Sequence, residues 1–259
     1  MNNTFNLIRF LRLFKKQTAE HYKTYLMSIG VLIGILALLL GFISYNNGGN
    51  IGPTVQGAMF FNLFLFSGTI FTSLIFADLG NNKKSIPILT LPSSHLEKYM
   101  VAWLYTFVIF QVVYIACFYA IDYVVISVGN MDNVHKSEVV NIFSMTFKIW
   151  IAFPMFAVLH STCFIGSIFF EKLHFIKTAF TFFIFLIFLC LINALMLGAI
   201  FPAKVLKGVP FNSVALEINE KFCFIRPTTT SDIILLVMAG LLTLVLWTST
   251  YFRLKEKQV

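Results

Sequence analysis

Charged residues are scarce in this chain. Only 12% of its 259 residues are Asp, Glu, Lys or Arg, whereas 58% are hydrophobic, and a soluble domain carries about 25% charged residues. A soluble protein needs that charge on its surface, but a surface that faces lipid does not. The composition therefore predicts a single polytopic membrane domain over residues 1–259.

Several motifs of chemical function are also missing. The sequence contains no GxxxxGK[ST] phosphate loop, no HExxH and no G-x-S-x-G. Its four cysteines are far apart in sequence, so no CxxC or zinc spacing occurs. We therefore expect no catalytic residue, no metal site, no bound cofactor and no enzymatic activity in this chain.

Carboxylates and histidines are rare inside the apolar segments. Only Asp122 falls at the edge of an apolar run, whereas a proton-coupled transporter typically has several carboxylates at membrane depth. Lys148 is expected on the same side of the membrane, where it could pair with Asp122 or snorkel to the interface. The lone His160 has no second ligand at helical spacing, and we expect it to make a packing hydrogen bond.

Six apolar runs of bilayer length dominate the sequence. A helix needs about 20 apolar residues to cross the roughly 30 Å of hydrocarbon. The six runs are residues 26–45, 58–77, 99–121, 149–170, 179–201 and 233–252. They predict an all-α integral membrane protein with six transmembrane helices.

The distribution of cations predicts the orientation of these spans. If the N-terminus is cytoplasmic, 13 of the 19 Lys and Arg residues lie on the cytoplasmic side. The other side then has only Lys136, Lys148, Lys204, Lys207, Lys221 and Arg226. This bias follows the positive-inside rule, and it predicts a multi-pass protein with both termini in the cytoplasm.

Residues 4–24 have the pattern of an amphipathic helix. Their apolar side chains share one helical face, and the cations Arg9, Arg12 and Lys16 lie opposite. Such a helix lies in the membrane interface, with its cations among anionic lipid headgroups. The pattern predicts an interfacial helix before the first span, the alternative being a basic tail that only sets the topology.

The loop at 78–98 is the longest predicted cytoplasmic connection. Ser94 and Glu97 have the S-x-x-E spacing of a capping box, which predicts a capped start for the third span. An apolar stretch between residues 81 and 91 is too short to cross a membrane. It indicates a docking element for a partner, or else an ordinary loop that folds back on the bundle.

The predicted outer segment, residues 202–232, connects the last two spans. It is long for a simple connection and short for a domain. Its modestly amphipathic run FNSVALEINEKFCF favours one or two short helices in the outer interface.

This arrangement resembles the ABC-2 type (type V fold) family of ABC transporter permeases. The stretch ILTLPSSHLEKYMVAWL at 88–104 is similar to the family's Leu-x-Leu-Pro-x-Ser motif, which leads through an acidic–basic pair into the third span. The resemblance covers the layout of the whole chain and about 20 residues of motif. It implies that an ATPase subunit contacts the exit of the 78–98 loop, at Ile88, Leu89, Leu91, Pro92, Ser94, Glu97 and Lys98.

The resemblance also implies a biological role and partners. The chain would be the permease subunit of an exporter in the bacterial cytoplasmic (inner) membrane. It would pair with a second copy or a homologous permease, contact membrane lipids, and be driven by separate ATPase subunits that hold ATP and Mg²⁺. No nucleic-acid partner is implied. The alternative is a polytopic protein that transports nothing and acts as an assembly, immunity or sensor subunit.

If two copies of the chain pair, the sequence indicates where their interface and an outer gate would form. Close helix packing needs small residues, and the first two spans offer Gly30, Gly34, Gly41, Gly57, Ser67 and Gly68. We expect the outer gate to form near the axis of the dimer from helical residues around Phe211, Phe222 and Phe224.

Overall fold

The computed structural model describes residues 5–76, 93–131, 136–144, 148–170, 173–201, 204–208, 210, 213–218, 221–225 and 229–256. The helices in this part of the chain are α1 (Leu7–Asn46), α2 (Pro53–Leu74), α3 (His95–Trp103), α4 (Phe110–Gly129), α5 (Ala152–Phe169), α6 (His174–Ile200) and α7 (Thr229–Glu256). A π-helical segment, Leu104–Ile109, joins α3 to α4, and a 3₁₀ turn, Ile149–Ile151, precedes α5.

Six of these helical stretches are long and apolar enough to cross a membrane. They coincide with the six predicted runs, although α1 begins 19 residues before the first run and the other boundaries differ by up to eight residues. The third of these stretches is the combined rod of α3, the π-helical segment and α4, which extends the predicted run at both ends, from His95 to Gly129. The prediction of six helices with the length and composition of membrane spans is therefore confirmed.

The first helix is longer than predicted. α1 runs for 40 residues without a break, which corresponds to about 60 Å, or twice the thickness of the hydrocarbon. Described residues 7–24 form the first part of α1, so the helix predicted over 4–24 is continuous with the first span, and its position in the membrane interface stays a prediction. No proline or glycine lies between Leu7 and Ile29 to end the helix, and the Asn6 side chain caps its start.

The side of the bundle away from the two termini has an aromatic core. Its fully buried side chains come from α1, α2, α4 and α5: Leu36, Leu40, Phe60, Phe64, Tyr114, Phe118 and Phe156. Gly68 on α2 lies where a Cβ atom would be 2.3 Å from the Phe156 ring. A glycine is therefore required for α2 and α5 to approach this closely.

A short irregular segment, residues 136–144, covers this core, and we call it the strap. Gln56 is fully buried and donates to the carbonyl oxygens of Ile51 at 2.8 Å and Glu138 at 3.0 Å. Its Oε1 accepts from the Val140 amide at 2.8 Å. All the hydrogen-bonding groups of this side chain are thus used to fix the strap to the start of α2.

The predicted outer segment is a sheet instead of a pair of helices. Strands β1 (Lys204–Gly208), β2 (Val214–Ile218) and β3 (Lys221–Ile225) form an antiparallel sheet in sequence order. The prediction of helices at 202–232 is therefore wrong for these strands, and the predominantly helical fold includes one small sheet. The strands are short and rich in β-branched and aromatic residues, and only two residues separate Ile218 from Lys221, as in a tight hairpin.

Asp122 is fully buried beneath the strap. Neither of its carboxylate oxygens has a hydrogen-bond partner among the described residues. The adjacent Val140 amide donates to Gln56 instead, and Lys148 is exposed. Of the two alternatives for Lys148, the pair with Asp122 does not form, because the strap and the start of α5 leave the lysine outside the core.

Replacing Asp122 with asparagine should preserve or increase stability. A buried carboxylate without a partner is unfavourable, and an amide of the same shape removes the charge. We expect the thermal unfolding midpoint in detergent to rise by a few degrees, which corresponds to about 1 kcal/mol. Glu138→Gln, at an exposed position on the strap, should leave the midpoint unchanged. A marked drop for Asp122→Asn alone would show that the carboxylate has a favourable partner.

Candidate coupling site

The predicted capping box at the start of α3 is confirmed. The Glu97 amide donates to Ser94 Oγ at 3.2 Å, and the Ser94 amide donates to Glu97 Oε2 at 3.0 Å. These two bonds satisfy backbone donors that a helix start leaves unpaired. The rod of α3 and α4 therefore begins at a defined residue, His95, within the predicted 78–98 loop.

Glu97 also connects this start to α1. Its Oε1 accepts from the Asn6 amide at 2.9 Å and from Arg9 Nη2 at 3.0 Å. Asn6 in turn caps α1, since its side chain accepts from the amides of Ile8 and Arg9. The first residues of two distant helices thus share one carboxylate.

The environment of Glu97 makes this contact strong. Its side chain is 0% exposed, and that of Arg9 is 34% exposed. A buried carboxylate that accepts two backbone N–H bonds and one guanidinium bond is well satisfied, and charge-assisted bonds are stronger than neutral ones. The pair is therefore unlike an exposed salt bridge, which contributes little to stability.

The same helix start is attached to α7. Tyr99 Oη donates to the Trp247 carbonyl oxygen at 3.0 Å. A second apolar cluster lies beside it, formed by residues from α3, α5, α7 and the end of α2: Phe76, Ala102, Phe164, Ile168 and Leu254. A displacement of the α3 start would therefore act on α1 through Glu97 and on α7 through Tyr99. We call Asn6, Arg9, Ser94, Glu97 and Tyr99 the junction.

The predicted coupling residues have different outcomes in the structure. Ser94 and Glu97 are in the junction, and Lys98 is buried on the next position of α3. Ile88, Leu89, Leu91 and Pro92 lie outside the described residues. Arg9, from the predicted interfacial set, belongs to the junction, whereas Arg12 is exposed and Lys16 pairs with Glu20 at 3.6 Å on the surface of α1.

The predicted outer-gate residues lie in or near the sheet. Phe224 is on β3 and is 67% exposed. Phe222 is on the same strand, its side chain is outside the described part, and Phe211 is not described at all. The gate therefore remains a prediction, but its helical form is wrong.

His160 makes the expected packing hydrogen bonds. Trp247 Nε1 donates to His160 Nδ1 at 3.1 Å, so the ring proton is on Nε2, which lies 2.9 Å from Thr106 Oγ1. Thr106 donates onward to the Ala102 carbonyl oxygen at 2.8 Å. These hydrogen bonds connect α7, α5 and the π-helical segment. No pattern in the sequence indicated that Trp247 and Thr106 would be the partners of His160.

Comparison with protein-family models, curated proteins and solved structures finds no match. Within the described residues, no group of three or more His, Cys, Asp or Glu side chains could hold a metal ion. The junction is a structural connection. The Glu97 carboxylate fixes the starts of α1 and α3 to each other, next to a loop of partly apolar sequence.

Proposed function

We propose that the chain is the permease subunit of an ABC transporter, driven through the 78–98 loop by a separate ATPase subunit. The observation that supports this most is the Glu97 junction. It fixes the end of the 78–98 loop, at Ser94 and Glu97, to the starts of α1 and α3. A force on the loop would therefore reach both helices together.

The requirement on the loop is modest. It must present apolar side chains to a groove on a partner, and it must be attached firmly enough to transmit movement. Leu89 and Leu91 have the required character, and attachment is supplied by the capping box and by the bonds from Asn6 and Arg9 to Glu97.

The proposal includes a second permease copy or a homologous permease. α6 supports this part, because His174 and Thr178 are its only buried residues within the described chain, and its exposed face is almost entirely apolar. Cysteines introduced at Gly198, which is exposed near the end of α6, should crosslink two copies of a homodimer in membranes. A monomeric mass in native mass spectrometry, together with no crosslink, would contradict a homodimer.

A single substitution in the loop tests the ATPase partnership. Leu89→Asp or Leu91→Asp should leave membrane insertion intact and weaken ATPase binding. The loss of one apolar contact costs about 2–3 kcal/mol, which corresponds to roughly 30- to 150-fold in affinity. Co-purification in mild detergent and stimulated ATP hydrolysis are the measurements.

The matched control is Leu89→Met, which keeps the apolar surface and should keep the partner. If the aspartate variants retain the ATPase and full hydrolysis, the loop is not the coupling element. If the wild-type protein purifies with no ATPase at all, the result favours an assembly, immunity or sensor subunit.

A further inference from the structure

A groove lies between α1 and α2 in the half of the membrane nearer the N-terminus. There α1 packs on α4 and barely touches α2, which leaves a space of about 140 Å³. Tyr25, Ser28 and Leu32 on α1 form one wall and Ser67 and Phe71 on α2 the other, with Tyr105 of the π-helical segment in the floor. π-Helical turns are frequent at functional sites.

The walls of this groove are apolar in practice. Ser28 Oγ donates to the Thr24 carbonyl oxygen at 2.9 Å, and Ser67 Oγ donates to the Leu63 carbonyl oxygen at 2.6 Å. Both hydroxyl hydrogens are thus used within their own helices. The groove offers a hydrocarbon chain a surface that requires no desolvation of free donors.

The mouth of the groove has a polar group with unused capacity. Tyr25 stacks on Tyr105 with 5.4 Å between ring centroids, and its Oη accepts from Gln17 Nε2 at 3.3 Å. No acceptor for the Tyr25 hydroxyl hydrogen is found in the described ranges. That hydrogen is available to a ligand oxygen at the mouth.

The part of α1 before Tyr25 carries a net positive charge, with five cations from Arg9 to Lys23 against Glu20 alone. Lys23 is the last charged residue of α1, and residues 24–46 contain none, so Tyr25 lies at the boundary between headgroups and hydrocarbon, where tyrosine is enriched. Arg12, Lys15 and Lys23 precede it on α1 and form no ion pair within the described chain. Anionic headgroups are attracted to such a segment.

We propose that the groove binds one acyl chain of an anionic phospholipid from the leaflet on the N-terminal side. The acyl chain lies between Ser28 and Ser67. The Tyr25 hydroxyl donates to an oxygen near the lipid glycerol, and the cations of α1 attract the headgroup. This site is independent of the proposed permease role, since it needs no ATPase and no second copy.

Photocrosslinking in nanodiscs tests the site. The full chain is reconstituted with phosphatidylcholine that contains a small fraction of phosphatidylglycerol with a photoactivatable acyl chain, and the labelled peptides are mapped by mass spectrometry. We expect labelling concentrated on residues 25–32 and 105–113. Unlabelled phosphatidylglycerol should compete about tenfold better than unlabelled phosphatidylcholine, as expected when one or two cations each contribute about 1 kcal/mol.

Filling variants provide the control. Ser28→Leu and Ser67→Leu should each reduce labelling at the groove about tenfold by occupying the space of the chain. Ser249→Leu is the matched control, because Ser249 is a partly exposed α7 serine with the same kind of backbone bond, to Val245 at 2.8 Å. It should change nothing.

Three results would overturn the proposal. Labelling spread evenly over the exposed faces of α6 and α7 would show ordinary surrounding lipid. If groove labelling is unchanged in both filling variants, the acyl chain does not lie between Ser28 and Ser67. If the two lipids compete equally, the site does not select an anionic headgroup. The competition arm needs no variant and holds even if a leucine variant fails to fold.

Discussion

Replacing Glu97 with alanine should destabilise the protein more than any other single change at the junction. The substitution removes the capping box of α3 and leaves Arg9 and the Asn6 amide without their acceptor. Breaking a buried pair costs about 3–5 kcal/mol, and the loss of a helix cap contributes to that range. Thermal unfolding in detergent, followed by circular dichroism, measures the change.

One further variant at Glu97 and one control at an exposed carboxylate help to interpret the alanine result. Glu97→Gln keeps one acceptor oxygen, which can serve either the Asn6 and Arg9 donors or the Ser94 amide, and it should cost less than alanine. Glu256→Ala removes an exposed carboxylate that pairs with Arg253 at 3.2 Å, and it should cost under about 1 kcal/mol. A double-mutant cycle with Arg9→Ala gives the coupling between Arg9 and Glu97, and a coupling near zero would contradict the junction as described.

Gly68→Ala should be the most damaging methyl addition in the second helix. The new Cβ would meet the rings of Phe156 at 2.3 Å and Phe110 at 2.8 Å. Both rings are packed in the aromatic core, so the helices must separate, at a cost of about 1–3 kcal/mol. The thermal unfolding midpoint is again the measurement.

Gly34→Ala is the matched control for that change. Gly34 is also in a helix, but nothing among the described residues lies within 4 Å of its added Cβ atom. Alanine there should be neutral or stabilising by up to about 1 kcal/mol through helix propensity. Equal losses for the two variants would show that Gly34 already packs against a second chain.

The glycines of the first two helices differ in whether they pack within the chain or remain available to a second copy. Gly57 and Gly68 are used inside the chain, against Ile149 and Phe156. Gly30, Gly34 and Gly41 have no described atom within 4 Å of an added Cβ. Of the six small residues assigned to a dimer interface, those of α1 therefore remain open to that role.

The membrane-sized helices were predictable because their signal is local. Twenty consecutive apolar residues have few alternatives to a spanning helix, and the Ser94–Glu97 spacing reads directly as a capping box. The sheet at 204–225 was missed because five-residue strands with modest alternation resemble short amphipathic helices in sequence. α1 was divided in two because its composition changes near residue 25, although nothing there breaks a helix.

The candidate site was half predictable for the same reason. The bonds within Ser94–Glu97 follow from spacing, but Arg9 is 88 residues away from its partner. His160 is likewise distant from Trp247, by 87 residues. Such pairs depend on how the helices pack, and a single sequence contains no record of that choice.

The π-helical segment shifts the side-chain register within the combined rod of α3 and α4. A π-turn holds one residue more than an α-turn, so it rotates the side-chain positions of α4 by about 100° relative to an uninterrupted α3. Tyr99 and Trp103 before it face α7, whereas Tyr114 and Phe118 after it face α2. In an unbroken α-helix Tyr114 and Phe118 would lie about 60° and 100° around from Tyr99, whereas the extra residue leaves both within about 40° of it. One face of the rod therefore serves both apolar clusters.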